Sequence, residues 1–199
     1  LAGYQNGISR GTVYNDTPLL IKGTKPKKSV RNMGPVNDIT ALKRSSNVYM
    51  FRVAYDIAGE TYIPNRTFNA SSSDFQKMRN YYSQFGLGVP TGIDLPNEAT
   101  GQQVTPPNDG ILLNMAIGQF DTYTPLQMAH SIATLANNGV VMRPHLVKMV
   151  ENSVTKERTL TVPKESNRIN LKPENIEVIK KAMIGVTKEG TSSRAFAGA

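Results

Sequence analysis

The 199 residues contain no cysteine. A disulfide framework and a thiolate metal site are therefore both excluded. Histidine is almost as scarce: His130 and His145 are the only two, and neither has a carboxylate at metal-ligand spacing. Neither residue type points to a metal site. No apolar run approaches the ~20 residues that a membrane-spanning helix needs, and the N-terminus has no signal-peptide pattern. Internal repeats and low-complexity segments are also missing. The first residue is Leu1 where a start would have Met, and the chain reads as an excised interior segment of a longer sequence.

What remains is ordinary globular material. Hydrophobic residues make up 39% and charged residues 19%, enough for one sizeable core without a second domain. Lys and Arg outnumber Asp and Glu by 23 to 15, a formal charge of +8. That surplus permits nucleic acid, an anionic membrane surface or an anionic cell-wall polymer as partner. The tightest basic cluster is Lys22, Lys25, Lys27, Lys28 and Arg31, in a stretch with Gly and Pro but no aromatic residues for base stacking. It reads as a solvated loop, and no nucleic-acid motif accompanies it.

Up to about Asn37 the pattern predicts turns and short strands, with Leu19-Leu20-Ile21 as a brief apolar strand. Asp38 is placed to cap a short helix through Arg44. A second helix is predicted from about Asn47 to Ala58, stopped by Gly59, with Val48, Phe51, Tyr55 and Ala58 at helical spacing. Ser73 is placed to cap an amphipathic helix bearing Phe75, Met78, Tyr82 and Phe85. Thr124 with Pro125 opens another helix, ending at Asn138-Gly139. Two strands, Leu146 to Val150 and Leu160 to Val162, flank a polar turn. Pro173 with Glu174 and Glu177 opens a last helix that fades near Gly190.

The residues with most chemical promise are Ser45-Ser46-Asn47, between the first two predicted helices. Only this register of an S-x-N triplet works, because starting at Ser46 would put Val48 where the amide is needed. A serine hydroxyl both donates and accepts, so it can relay a proton in acyl transfer. An Asn amide can hold a carbonyl and a neighbouring lysine at once. Ser and Asn are also favoured helix caps, and Asn47 before Val48-Tyr49-Met50-Phe51 reads as one.

Further segments follow the triplet: Gly86-Leu87-Gly88, Thr91-Gly92-Ile93-Asp94-Leu95-Pro96, Gly118-Gln119, Thr124-Pro125-Leu126-Gln127 and Ala136-Asn137-Asn138-Gly139 before Pro144. In this order they make nearly the whole chain resemble the transpeptidase domain of class B penicillin-binding proteins, whose superfamily signature is S-x-x-K, S-D-N and K-T-G. Only the middle element is present. In many relatives Gly118-Gln119 precedes another Gly, whereas Phe120 stands here, and Gln119 is given no catalytic role.

The resemblance implies an α+β chain, mainly the helical portion of the serine β-lactamase and penicillin-binding transpeptidase fold with small β-hairpins. It makes residues 1–199 part of a single transpeptidase domain. It implies a peptidoglycan D,D-transpeptidase that works through an acyl-serine intermediate and is acylated by β-lactam antibiotics. Ser45 would be the relay and Asn47 the positioning residue, both facing a cleft. The implied partners are peptidoglycan stem peptides and other cell-wall synthesis proteins, with no nucleic acid, and no metal or organic cofactor is implied. The implied location is the extracytoplasmic face of the cell membrane, reached only through a segment of the longer protein. Nucleophile, lysine base and oxyanion-hole donors would also come from that longer protein, and the isolated chain is expected to be inactive. A non-catalytic cell-wall-binding or scaffold module of the same fold is the alternative.

Two partial matches to the missing motifs are set aside. Ser153-Val154-Thr155-Lys156 fits S-x-x-K literally, but it lies in a β-branched hairpin segment and follows the triplet. Lys188-Glu189-Gly190-Thr191 is close to K-T-G-T, but Glu189 would repel a substrate carboxylate and the segment sits at a helix end. Both read as surface features. His130 reads as packing or surface polarity, Asp94 to Glu98 around Pro96 as a turn, and Tyr81, Tyr82 and Met128 as core or interface residues.

Overall fold

The computed structural model describes residues 1–198. In chain order its elements are α1 (Ala2–Gln5), β1 (Tyr14–Asp16), β2 (Gly34–Val36), α2 (Asp38–Arg44), α3 (Asn47–Ile57), α4 (Ser72–Gln84), α5 (Ile111–Met115), α6 (Pro125–Ala136), β3 (Val140–Met142), β4 (Met149–Glu151), β5 (Arg158–Leu160), β6 (Glu165–Arg168) and α7 (Pro173–Lys188). The strands form three separate antiparallel pairs, β1-β2, β3-β6 and β4-β5. Helices and small antiparallel pairs match the expected mainly helical α+β chain. Among the described residues no helix is long and apolar enough to cross a membrane.

The chain forms two compact units. The first contains Leu1–Tyr81, Val104–Asp121 and the residues from Leu171 onward. Its core gathers Val36, Ala41 and Tyr49, with Tyr14, Met33, Met50 and Val53 packed against them. The rings of Tyr14 and Tyr49 lie 5.0 Å apart. The predicted apolar face of α3 is buried at Val48, Phe51 and Tyr55, with Ala54 and Ile57 added. Each large side chain so buried contributes about 1.5–3 kcal/mol. Arg79 of α4 and Asp121 form a bidentate pair at 2.8 Å on both arms, with side chains 13% and 2% exposed.

Several boundaries moved for local reasons. Asn37, not Asp38, caps α2, its side chain accepting from Thr40 N–H. Ser46, not Asn47, caps α3 by accepting from Tyr49 N–H. α4 starts at Ser72, and Asp74 reaches back to accept from Ser71 N–H at 2.8 Å. Leu19 and Ile21 make isolated bridges to Lys27 and Arg66 in place of a continuous strand. α5 was not anticipated, because five residues are too few to show a helical period.

The second unit contains Tyr82–Gln103 and Thr122–Asn170. Thr124 and Gln127 form the capping box of α6, with Pro125 in its first turn. Gln127 is fully buried, and its amide also donates to the Val89 carbonyl at 2.8 Å. The predicted hairpin is present as β4-β5, with both strands displaced from the expected spans. The β3-β6 pair was not foreseen, since its strands lie far apart in sequence.

Candidate functional site

The Ser45-Ser46-Asn47 turn lies in the first unit, where α2 hands over to α3. Ser46 N–H donates to the Ala41 carbonyl at 2.8 Å and Ser45 N–H to the Leu42 carbonyl at 3.2 Å. That pairing is a Schellman closure, which needs one residue in the left-handed region. Ser45 fills it at φ 60, ψ 53. Glycine is the usual occupant, and an L-residue there costs roughly 1–2 kcal/mol. Ser45 is exposed, and Asn47, the first residue of α3, is partly exposed. Among the described residues neither side chain has a hydrogen-bond partner.

Beneath the turn the polar groups are fully engaged. Asp16 of β1 is 1% exposed. Its Oδ2 accepts from the Ser29 hydroxyl at 2.7 Å and from the Ser46 hydroxyl. Each hydroxyl in turn accepts from a first-turn amide of α3: Val48 N–H to Ser29 Oγ at 3.2 Å, Tyr49 N–H to Ser46 Oγ at 3.0 Å. Two of the helix's orphan donors are thus satisfied by hydroxyls that share one carboxyl oxygen. Sequence reasoning missed this set. The Ser46 cap was legible as a Ser before an apolar run, but Asp16 and Ser29 lie 30 and 17 positions upstream with no local signal.

The flanks of the turn are braced by α1, the loop after it and the end of α7. Asp38 Oδ2 accepts from the Tyr4 hydroxyl at 2.6 Å and from Gly11 N–H at 2.7 Å. At the other end of α2, Lys43 Nζ pairs with Glu189 at 3.0 Å and the Lys43 carbonyl accepts from Thr191 N–H at 3.3 Å. A Cβ at Gly190 would sit 2.4 Å from that carbonyl, so only glycine permits the approach. The Lys188-Glu189-Gly190-Thr191 segment is therefore no free surface feature; it closes α7 against the last turn of α2.

Nearby tyrosines offer no base at neutral pH. Burial pushes the Tyr4, Tyr14 and Tyr49 phenols well above their ordinary value, and the carboxyl groups of Asp38 and Asp56 add to it. Tyr55 is pushed up to about 12, chiefly by burial. Burial also lowers the Lys27 ammonium, which donates to Asn114 Oδ1 at 2.7 Å; this member of the basic cluster is partly sequestered, not wholly solvated.

The remaining candidates carry local structure. Ser153 and Lys156 are exposed on the tip of the β4-β5 hairpin, the wrong setting for a nucleophile and its base. His130 is buried, its Nε2–H donating to the Met142 carbonyl at 2.8 Å. Asp94 accepts from the amides of Leu146 and Val147, which lowers its carboxyl below the ordinary range. Burial pushes the Glu98 carboxyl up, but donation from the Thr91 hydroxyl and the Thr91 and Gly92 amides outweighs it and the net shift is downward. Both acids staple loops.

A surface hydroxyl can relay a proton, and an uncommitted amide at an anchored helix start can orient a carbonyl. Comparison with known proteins gives that chemistry a context. The family model for the penicillin binding protein transpeptidase domain matches residues 1–199. Penicillin-binding protein H of Bacillus subtilis (strain 168) is 47% identical over 98% of this chain. Peptidoglycan D,D-transpeptidase MrdA of Haemophilus influenzae is 30% identical over 80% of it. The solved structure of penicillin-binding protein 2B from Streptococcus pneumoniae (strain 5204) superposes with a TM-score of 0.92 at 33% identity, covering 100% of this chain and 35% of that one. The chain spans 29% of the length of penicillin-binding protein H and 24% of MrdA.

Proposed function

Because the chain belongs to the transpeptidase-domain family of class B penicillin-binding proteins, we propose that the full-length protein is a serine-type peptidoglycan D,D-transpeptidase and that the Ser45–Asn47 turn is part of its active site. A serine elsewhere in the full-length protein attacks the penultimate D-Ala carbonyl of a pentapeptide stem. The Oγ–C bond forms, the amide C–N bond breaks, and the departing D-Ala amine takes up a proton. The amine of a neighbouring stem then displaces the serine. β-Lactams acylate the same serine.

In this scheme the Ser45 hydroxyl returns the proton to the leaving amine. Asn47 holds the substrate carbonyl and the lysine that serves as base. The observation that carries the reading is Ser45 itself: a left-handed position that favours glycine holds a hydroxyl residue, exposed and unpartnered, two positions before a free amide. Strained backbone concentrates at functional sites. The protein would act at the extracytoplasmic face of the membrane, on stem peptides and alongside other cell-wall synthesis proteins.

The test is incubation of the full-length protein with a fluorescent penicillin and, separately, with a D-Ala-D-Ala pentapeptide. Covalent labelling together with D-alanine release supports the reading. A folded full-length protein that does neither is a scaffold, and the proposal fails.

A further inference from the structure

We propose that Asp16 and Ser29 are positioning residues for the transpeptidase reaction, holding the Ser45–Asn47 turn in register through Ser46. This rests on the active-site reading just given and adds to it the means by which the site is held. Asn47 is the first residue of α3, so whatever fixes the start of α3 fixes its amide. The start is held by two hydroxyls. Ser29 Oγ accepts from Val48 N–H at 3.2 Å and Ser46 Oγ from Tyr49 N–H at 3.0 Å, and both donate to Asp16 Oδ2. All three side chains are 1–3% exposed. A hydroxyl that donates to a fixed acceptor has its lone pairs turned toward the helix. Removing the acceptor frees both rotors at once.

An ordinary helix cap needs only its own residue. Ser46 alone would cap α3, as caps usually work. Here a strand residue 30 positions upstream and a loop residue 17 upstream are recruited to the same task, and Asp16 Oδ1 is left buried without a partner among the described residues. A buried acceptor left unmade is costly. Nothing in helix capping demands that arrangement, whereas a catalytic amide that must be held to within a fraction of an ångström does. Displacement of a reacting group by about 1 Å costs on the order of 100-fold in rate.

The test uses the full-length protein and measures acylation by a fluorescent penicillin well below each variant's melting temperature. Asp16→Ala is expected to slow acylation by on the order of 10–100-fold, and Ser29→Ala by less. Asp16→Ala should weaken hydrogen-exchange protection at both the Val48 and Tyr49 amides, and Ser29→Ala at Val48. Asp16→Asn keeps an oxygen for both hydroxyls and should recover most of the acylation rate. Asp121→Asn, which breaks the buried pair with Arg79, supplies a destabilised control and should acylate at the wild-type rate. Should Asp16→Ala fail to fold, Ser29→Ala and Asp16→Asn carry the same comparison. Wild-type acylation by a folded Asp16→Ala or Ser29→Ala, or an equal slowing in Asp121→Asn at matched melting temperature, overturns the proposal. Asn47→Ala separates the two levels: if it too acylates normally, the active-site reading falls with the anchor; if it alone is slow, only the anchor falls.

Discussion

Replacing Ser45 by glycine separates conformation from chemistry. Ser45 occupies φ 60, ψ 53 at the Schellman closure of α2. An L-residue there costs roughly 1–2 kcal/mol, which Ser45→Gly relieves. Glycine also gains freedom in the unfolded chain, worth about 0.4–1 kcal/mol against the folded state. The difference is a net stabilisation of about 0–1.5 kcal/mol. At about 2–4 °C per kcal/mol for a domain of this size, the melting temperature should hold or rise by a few degrees. No hydrogen bond is lost from the side chain, and the backbone bonds to Ala41 and Leu42 remain. Acylation should move the other way. A positioned proton-transfer group contributes typically 10²–10⁴-fold, so the rate with a fluorescent penicillin should fall by on the order of 100-fold or more. Ser45→Ala keeps the strained backbone without the hydroxyl and should show the same rate loss with no gain in stability. The assay is differential scanning fluorimetry and stopped-flow acylation on the same full-length preparations. A Ser45→Gly protein that is as stable as the wild type or more so, and acylates at the wild-type rate, would refute the relay.

Asp121→Ala leaves the Arg79 guanidinium buried beside Val104, and loss of one partner of such a pair costs about 3–5 kcal/mol; chemical denaturation of the chain should show it. Glu98 has a folded carboxyl value below its unfolded one. Its contribution is therefore complete above the unfolded value of about 4.3 and fades as pH falls through the folded one. Protection of the Thr91 and Gly92 amides, relative to their intrinsic exchange rate at each pH, should weaken as pH falls below the unfolded carboxyl value, and Glu98→Gln should abolish that pH dependence. The isolated chain should take no covalent label from a fluorescent penicillin, because its one S-x-x-K match sits on a hairpin tip; label on Ser153 would contradict this.

Sequence nominated the candidate site by pattern and missed what holds it. The helical period of Val48, Phe51 and Tyr55 and the Thr124-Pro125 start are local signals, and both are present as read. Capping was displaced by one residue at α2 and α3, because neighbouring polar residues compete for the same amides and only the backbone angles decide between them. Phe120 is instructive. Its position, where glycine was the residue to expect, has φ 92, so the backbone demand is written in the structure although the residue does not advertise it. Asp16 and Ser29 carry no pattern at all. Their role exists only once β1 and the loop before β2 are folded beneath α3, a long-range packing outcome that no period or cap rule encodes.

The central claim is that Asn47 acts in catalysis, and one variant tests it most directly. Ser46 already supplies the helix cap, so Asn47→Ala should leave the melting temperature nearly unchanged. Acylation of the full-length protein by a fluorescent penicillin should slow by on the order of 100-fold, as expected when a positioning group is lost. An Asn47→Ala protein that acylates at the wild-type rate would contradict the account.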